Sequence, residues 1–516
     1  MKKPDGRHLI VLMHLLALCA LAGLGPMSPW MWHAREWFYP LCVAIVVLYL
    51  WAVWSWTRIA RSLFDPYVMF LTAATLFNGG HAFLEVFDLN RDGILRGAFS
   101  SETISRTLYA VALGLTAVHC GALLGAWVCR RRDQRLALNR MNGPLTRSFA
   151  WEDRACWLVG WCLFAIAIVP TLMLIRQSIA IVMSSGYFAL YQQQRAVSFA
   201  ALPRVLSSFL IPSAMFMLAA SREQLSGRVI SALIILGYAG IHFFLGSRVN
   251  AAMPLIAYAW LWHRRVGQLP ALLLLSAGIV VLFIVFPLVS FIRMTPGAER
   301  MSLIAIWDAL RSIRNPAVSI LAEMGDSMRT IAYTLELVPA SRPFDGGMTY
   351  LYGLLTIFPN AFWQVHPTVA RGMASDWLVR TVAPAYAAAG GGFGYSFLAE
   401  AYLNFGWAGL LLVPAVIGFL LVRFVLWAQR GGRARALATV ASFTSFFLVF
   451  ARSEFGNMPR MLVWYALLPS LLVFLVLAFR SARDGQRHRA EFVRGSSFRR
   501  LGLPTKLANI VPDRDK

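Results

Sequence analysis

Charge is what this sequence has least of: Asp, Glu, Lys and Arg together make up 14% of 516 residues. A soluble chain of this length needs far more charge to cover its surface. Together with 58% hydrophobic residues and a mean hydropathy of +0.61, the scarcity excludes a soluble globular fold. Cysteine is also scarce. Cys19, Cys42, Cys120, Cys129, Cys156 and Cys162 lie in or beside the first five apolar runs, which excludes a disulfide-stapled outer domain, and no CxxC or Cys/His cluster has zinc spacing. No P-loop occurs, so ATP-driven transport has no support.

What the chain does have is apolar runs near the length needed to cross a bilayer. Twelve fall at about 9–25, 38–56, 67–84, 107–129, 155–175, 205–220, 229–245, 249–262, 270–292, 396–422, 437–450 and 461–479. The expected fold class is an all-α polytopic integral membrane protein with about 12 transmembrane helices. Spans 1 to 9 occupy residues 1–292, a large outer loop with short surface helices occupies 293–395, spans 10 to 12 occupy 396–479, and a basic tail occupies 480–516.

Acid is scarcer than base, 24 residues against 48, giving a net charge of +24. That balance raises nucleic acid as a partner, and the placement of the charge removes it. With both termini cytoplasmic, Lys and Arg concentrate in the inner segments, including the terminal tail, as the positive-inside rule requires. The base then sets orientation and meets anionic membrane lipid.

The loop 293–395 is too long to be a simple connection. Its apolar stretches, Leu335 to Pro339 and Met348 to Trp363, suit short helices at or in the membrane surface. A second outer stretch, Ser184 to Pro203, carries Tyr187, Phe188, Tyr191 and Gln192 to Gln194, which suit an interfacial belt or a sugar-facing surface. The run Gly390 to Leu412 then turns from glycines into an apolar helix whose first turns carry Tyr395, Ser396, Glu400, Tyr402 and Asn404. Ionisable and polar groups entering a spanning segment mark a candidate site.

Arginines at outer span ends point to phosphate. Arg248, Arg293, Arg452 and Arg460 stand where the positive-inside rule disfavours them, and a guanidinium grips phosphate through two parallel hydrogen bonds. Carboxylates on the same side are Glu323, Asp326, Glu336, Asp345, Asp376, Glu400 and Glu454, any of which offers a general base; His366 is a further base candidate, and Glu454 is close enough to Arg452 to pair with it. Three metal-like motifs fail. Asp88-Leu-Asn90-Arg-Asp92-Gly93 has Phe99 where a calcium loop needs glutamate, Asp513-Arg-Asp515 lies in a charged tail, and His81 to Glu85 lacks a second histidine. No metal or cofactor is called for.

Gly246-Ser247-Arg248, Phe344 to Tyr350 leading to Ile357 to Asn360, Ser396 to Gly409 and the Arg452 motif together resemble the O-antigen polymerase (oligosaccharide repeat-unit polymerase) family, in order and spacing from about residue 230 to 479. The resemblance implies a bacterial inner-membrane glycosyltransferase of GT-C-like architecture with a periplasmic site. It implies transfer of a growing glycan from undecaprenyl diphosphate onto the next lipid-linked repeat unit, with a chain-length regulator and a flippase as partners. Carried over by position, Arg248 and Arg452 match the family's outer arginines and Glu400 its helix-start acid, here expected to be the base. Arg460, Arg293, Tyr395, Tyr402, Asn404, Asp345 and Arg380 are expected to bind substrate. Arg314, Arg342 and Arg380 each fit an Arg-x10-Gly pattern discussed for the family. An O-antigen ligase and a polysaccharide flippase are the rival readings.

Overall fold

The computed structural model describes residues 6–24, 35–137, 146–187, 189–192, 202–294, 315–358 and 363–483, with positions 304, 307 and 311. Gln193, Gln194, Arg314, Phe362 and the tail from 484 onward lie outside the described residues. The described residues are mostly helical, with no strand among them.

Nine helices among the described residues are long and apolar enough to cross a membrane: Phe38–Ala60, Ser101–Cys129, Ala150–Ser185, Leu202–Ala220, Leu225–Leu245, Ala271–Arg293, Phe397–Gly431, Ala434–Arg452 and Phe455–Arg483. The chain is a multi-pass membrane protein. The remaining three of the twelve expected runs are helical as well over their described residues, in Gly6–Leu24, Pro66–Val86 and Arg248–Arg265, without meeting that measure. The physical reason lies in what the last two bury. Pro66–Val86 buries Asn78 and His81, and Arg248–Arg265 buries Arg248, so each carries polar groups into the protein interior where a lipid-facing helix carries only apolar ones.

Burial sorts the spans into an inner and an outer set. Ser101–Cys129 and Ala434–Arg452 are each 83% buried over their apolar windows, whereas Ala271–Arg293 is 11% buried and turns its leucines outward. The inner helix Ser101–Ala137 lies along Phe397–Gly431 at very short range. A Cβ on Gly121 would run into the Ala415 carbonyl, and one on Gly418 into the Val118 carbonyl, so only glycine permits this approach. Small residues at such a crossing let two backbones gain dispersion contact, which drives helix association where lipid removes any hydrophobic advantage.

Two ties set the ends of the bundle. At one end Asp65 caps Pro66–Val86 by accepting from the Tyr67 amide, and it also accepts from Gln429 at 2.7 Å. Arg264, Arg265, Arg430 and Arg433 gather at the ends of their helices on that side. Opposite it, the described part of the 293–395 segment forms the short helices Pro316–Gly325, Met328–Leu337 and Met348–Leu355, which pack against helices of the bundle, and Ala374–Val382, which packs on Met328–Leu337.

Candidate active site

The long helix Phe397–Gly431 starts with a deliberate cap. Ser396 has extended backbone, and its hydroxyl oxygen accepts from the Leu398 amide. The same hydroxyl donates to Asn78 Oδ1 at 2.6 Å, while Asn78 Nδ2 donates to the Ala451 carbonyl at 2.9 Å. One amide thus joins the entry of this helix to the residue before Arg452. The Tyr395 amide also reaches the Arg452 carbonyl, at 3.4 Å.

Two turns further on, the helix breaks. Gly406 has φ 61 and ψ −144, a backbone that L side chains rarely adopt, and the break frees hydrogen-bonding groups for the loop. Asp345 and Gly346 donate their amides to the carbonyls of Leu403 and Asn404, and Gly347 donates to Asn404 Oδ1 at 2.9 Å. Asn404 Nδ2 in turn donates to Thr349 Oγ1 at 2.7 Å and to the Glu400 carbonyl at 2.8 Å. Asn404 is therefore the socket for the 345–349 turn. Asp345 itself is held by Arg342 and Arg371, each at 2.9 Å.

Arg248 opens its helix just after Gly246, and its side chain is only 7% exposed. Nη1 donates to Glu323 Oε2 at 2.9 Å. Nε and Nη2 are buried and have no partner among the described residues. Those two nitrogens form the side-on fork of a guanidinium, the parallel pair of donors that a phosphate oxygen pair accepts. Arg293 donates to the Gly246 carbonyl through Nε and Nη2 and lies 4.7 Å from the Tyr187 ring centroid. Arg452 lies 5.3 Å from the Phe77 ring centroid.

The fourth arm comes from Ala374–Val382. Glu454 caps this helix: its carboxylate accepts from the amides of Ala374 (2.7 Å) and Ser375 (3.2 Å) and from the Ser375 hydroxyl (2.6 Å). In the short connection between the last two spans, burial pushes the Glu454 carboxyl above the ordinary carboxylate range, and the Ser375 hydroxyl and these amides pull it partly back. The helix carries Asp376 and Arg380 one turn apart.

These arms enclose a cavity of about 610 Å³ whose walls include four guanidinium groups, those of Arg248, Arg293, Arg380 and Arg452, with one carboxylate, that of Asp376, and the glycines around Gly391. Such a wall is strongly cationic. It suits a compact polyanion, and it places one acid beside it.

The model of the family described as O-antigen polysaccharide polymerase Wzy matches residues 10–482, nearly the whole chain. The chain belongs to this family. No curated protein and no solved structure matches it. Of the arginines singled out from the sequence, the cationic cavity gathers Arg248, Arg293, Arg380 and Arg452.

The other expected site residues of the polymerase stand apart from the cavity wall. Arg460 is exposed at the start of the last span. Tyr395 is buried behind the wall, its hydroxyl 3.1 Å from Thr334 Oγ1, and burial pushes that phenol above its ordinary range. Tyr402 packs its ring against Phe344 and Trp407. Asp345 and Asn404 dock the loop as described. Glu400 is 1% exposed; Oε2 accepts the Phe455 amide at 2.7 Å, and Oε1 is buried. It braces the backbone three residues after Arg452.

His366 caps a short helix: Nδ1 accepts from the Thr368 amide and Nε2 faces the Leu355 carbonyl at 3.3 Å. Sequence reasoning missed Asn78. Its signal was there, a carboxamide inside an otherwise apolar run, which costs free energy in a membrane unless both ends are bonded.

Proposed function

We propose that the chain polymerises undecaprenyl-diphosphate-linked oligosaccharide repeat units at the periplasmic face of the bacterial inner membrane, with the four-arginine cavity as the seat of the donor diphosphate. The observation that carries this reading is Arg248: a guanidinium fork, buried and with no acceptor among the described residues, in the wall of a cavity shared with three further arginines. A buried cation left partly unpaired is costly, and an incoming phosphate supplies what it lacks.

The chemistry follows from that seat. The bond between the anomeric carbon of the growing glycan and the diphosphate oxygen breaks, and a new bond forms from the acceptor hydroxyl oxygen to the same carbon. The electron pair leaves on the diphosphate, where preorganised guanidinium groups stabilise the developing charge. The hydroxyl proton needs an acceptor. Asp376 stands in the cavity wall and suits that role, whereas Glu400 serves by holding the Phe455 backbone and so the position of Arg452.

The family favours polymerisation over the ligase and flippase readings. The purified full chain, supplied with lipid-linked repeat units, is expected to yield a ladder of chain lengths. Transfer of glycan to a lipid A core acceptor with no ladder would replace the proposal with the ligase reading.

A further inference from the structure

Glu323 is absent from the cavity wall yet bonds to the most buried cation in it. Its Oε2 accepts from Arg248 Nη1 at 2.9 Å and from the Ser290 hydroxyl at 3.2 Å, and its Oε1 lies 3.9 Å from Nη1 of Arg293. One carboxylate thus leans on two of the four guanidinium groups. The Glu323 side chain is 42% exposed while that of Arg248 is 7% exposed, so the acid keeps its hydration as the cation loses its own. Glu323 rides on Pro316–Gly325, which packs on Pro66–Val86, the helix that also carries Asn78.

We infer that Glu323 is a counter-charge that limits how tightly the cavity holds a diphosphate, so that the leaving group is stabilised without becoming a trapped product. The inference rests on the cavity being the diphosphate seat. Four guanidinium groups facing one carboxylate would bind the diphosphate strongly before and after transfer alike, and equal stabilisation of bound states slows release without lowering the barrier. A carboxylate on Nη1 withdraws part of that field. It also occupies the one nitrogen outside the Nε and Nη2 fork, leaving the phosphate-matching pair untouched. Glu323 is thus a positioning residue for Arg248 and a brake on anion affinity.

Calorimetric titration of the purified full chain at low salt, with farnesyl diphosphate and separately with inorganic pyrophosphate, tests this. A wild type that binds neither probe removes the diphosphate seat itself, and the brake with it. Given wild-type binding, Glu323→Gln keeps an oxygen for Arg248 and loses only the charge. It is expected to bind either probe about fivefold more tightly, the effect of one partly screened unit charge. In polymerisation the same variant is expected to lower both KM and kcat. A purely structural Glu323 gives unchanged or weaker binding, and that result overturns the brake while leaving the seat in place. Should the Gln variant fail to fold, Glu323→Asp carries the test: shortening the side chain draws the charge back, binding is expected to tighten about twofold, and equal or weaker binding overturns the inference.

Discussion

Asn78 Nδ2 donates to the carbonyl of Ala451 at 2.9 Å, across 373 residues of sequence. The bond fixes the backbone one residue before Arg452, and the other end of the same amide fixes Ser396, the cap of the helix that carries Glu400. Two chain segments that frame the cationic cavity thus share one fully buried side chain.

Removing that side chain should show in stability and activity together. Asn78→Ala leaves the Ser396 hydroxyl and the Ala451 carbonyl without this buried partner, a loss of about 1–3 kcal/mol for each such group. The thermal midpoint is expected to fall, and glycan chains to shorten on gels. Wild-type chains at an unchanged midpoint would show that Asn78 does not position the site.

The arginines should behave differently from Asn78. Arg248→Ala and Arg452→Ala are expected to abolish chain extension at near-normal protein levels, with Lys at either position recovering only part of it, because a point charge does not reproduce two parallel hydrogen bonds. Gel ladders are the readout. Full-length ladders from both alanine variants would exclude the phosphate role.

The two acids separate cleanly. Asp376→Asn is expected to reduce the initial rate by roughly 10²- to 10⁴-fold, the usual loss of a general base, with the melting temperature unchanged. Glu400→Gln, which disturbs a buried acceptor of the Phe455 amide, is expected to lower melting temperature and rate together. The opposite pattern, a stable but inactive Glu400→Gln variant beside an active Asp376→Asn variant, would return the base role to Glu400.

Orientation has a direct test at Ser341, which is exposed, whereas Thr349 is engaged by Asn404. In a cysteine-free background, Ser341→Cys is expected to react with an impermeant maleimide on intact cells stripped of their outer membrane. Reaction only after permeabilisation would place the cavity on the cytoplasmic side.

Glu454 predicts a pH dependence. Its carboxyl titrates above 4.5 in the folded protein because burial disfavours the charged form, so the folded state binds protons that the unfolded state has released. Stability from this group is therefore complete below pH 4.5 and declines as pH rises through and beyond it. Thermal midpoints measured across that range are expected to slope downward for this reason, and Glu454→Gln to flatten the slope. An identical slope in wild type and variant would assign it to other groups.

The amino-acid sequence by itself determined that this is a helical, multi-pass membrane protein, because the length and polarity of an apolar run are local properties and a bilayer leaves few alternatives to a helix. It also marked Arg248, Arg293 and Arg452 by type and position and Arg380 through the family resemblance, and its match over residues 10–482 places it among the O-antigen polysaccharide polymerases. Only the tertiary structure decided that those four guanidinium groups share one cavity, since they come from four separate segments that no periodicity relates. It likewise set Asp376 in the wall and Glu400 behind it. Side-chain type says that a carboxylate is available; whether it faces a cavity or a backbone amide depends on the approach of Phe455 to Glu400 and on the packing of Ala374–Val382 against Glu454. The role of Asn78 was hidden for the same reason: its two partners, Ser396 and Ala451, come beside it only when the helices have packed.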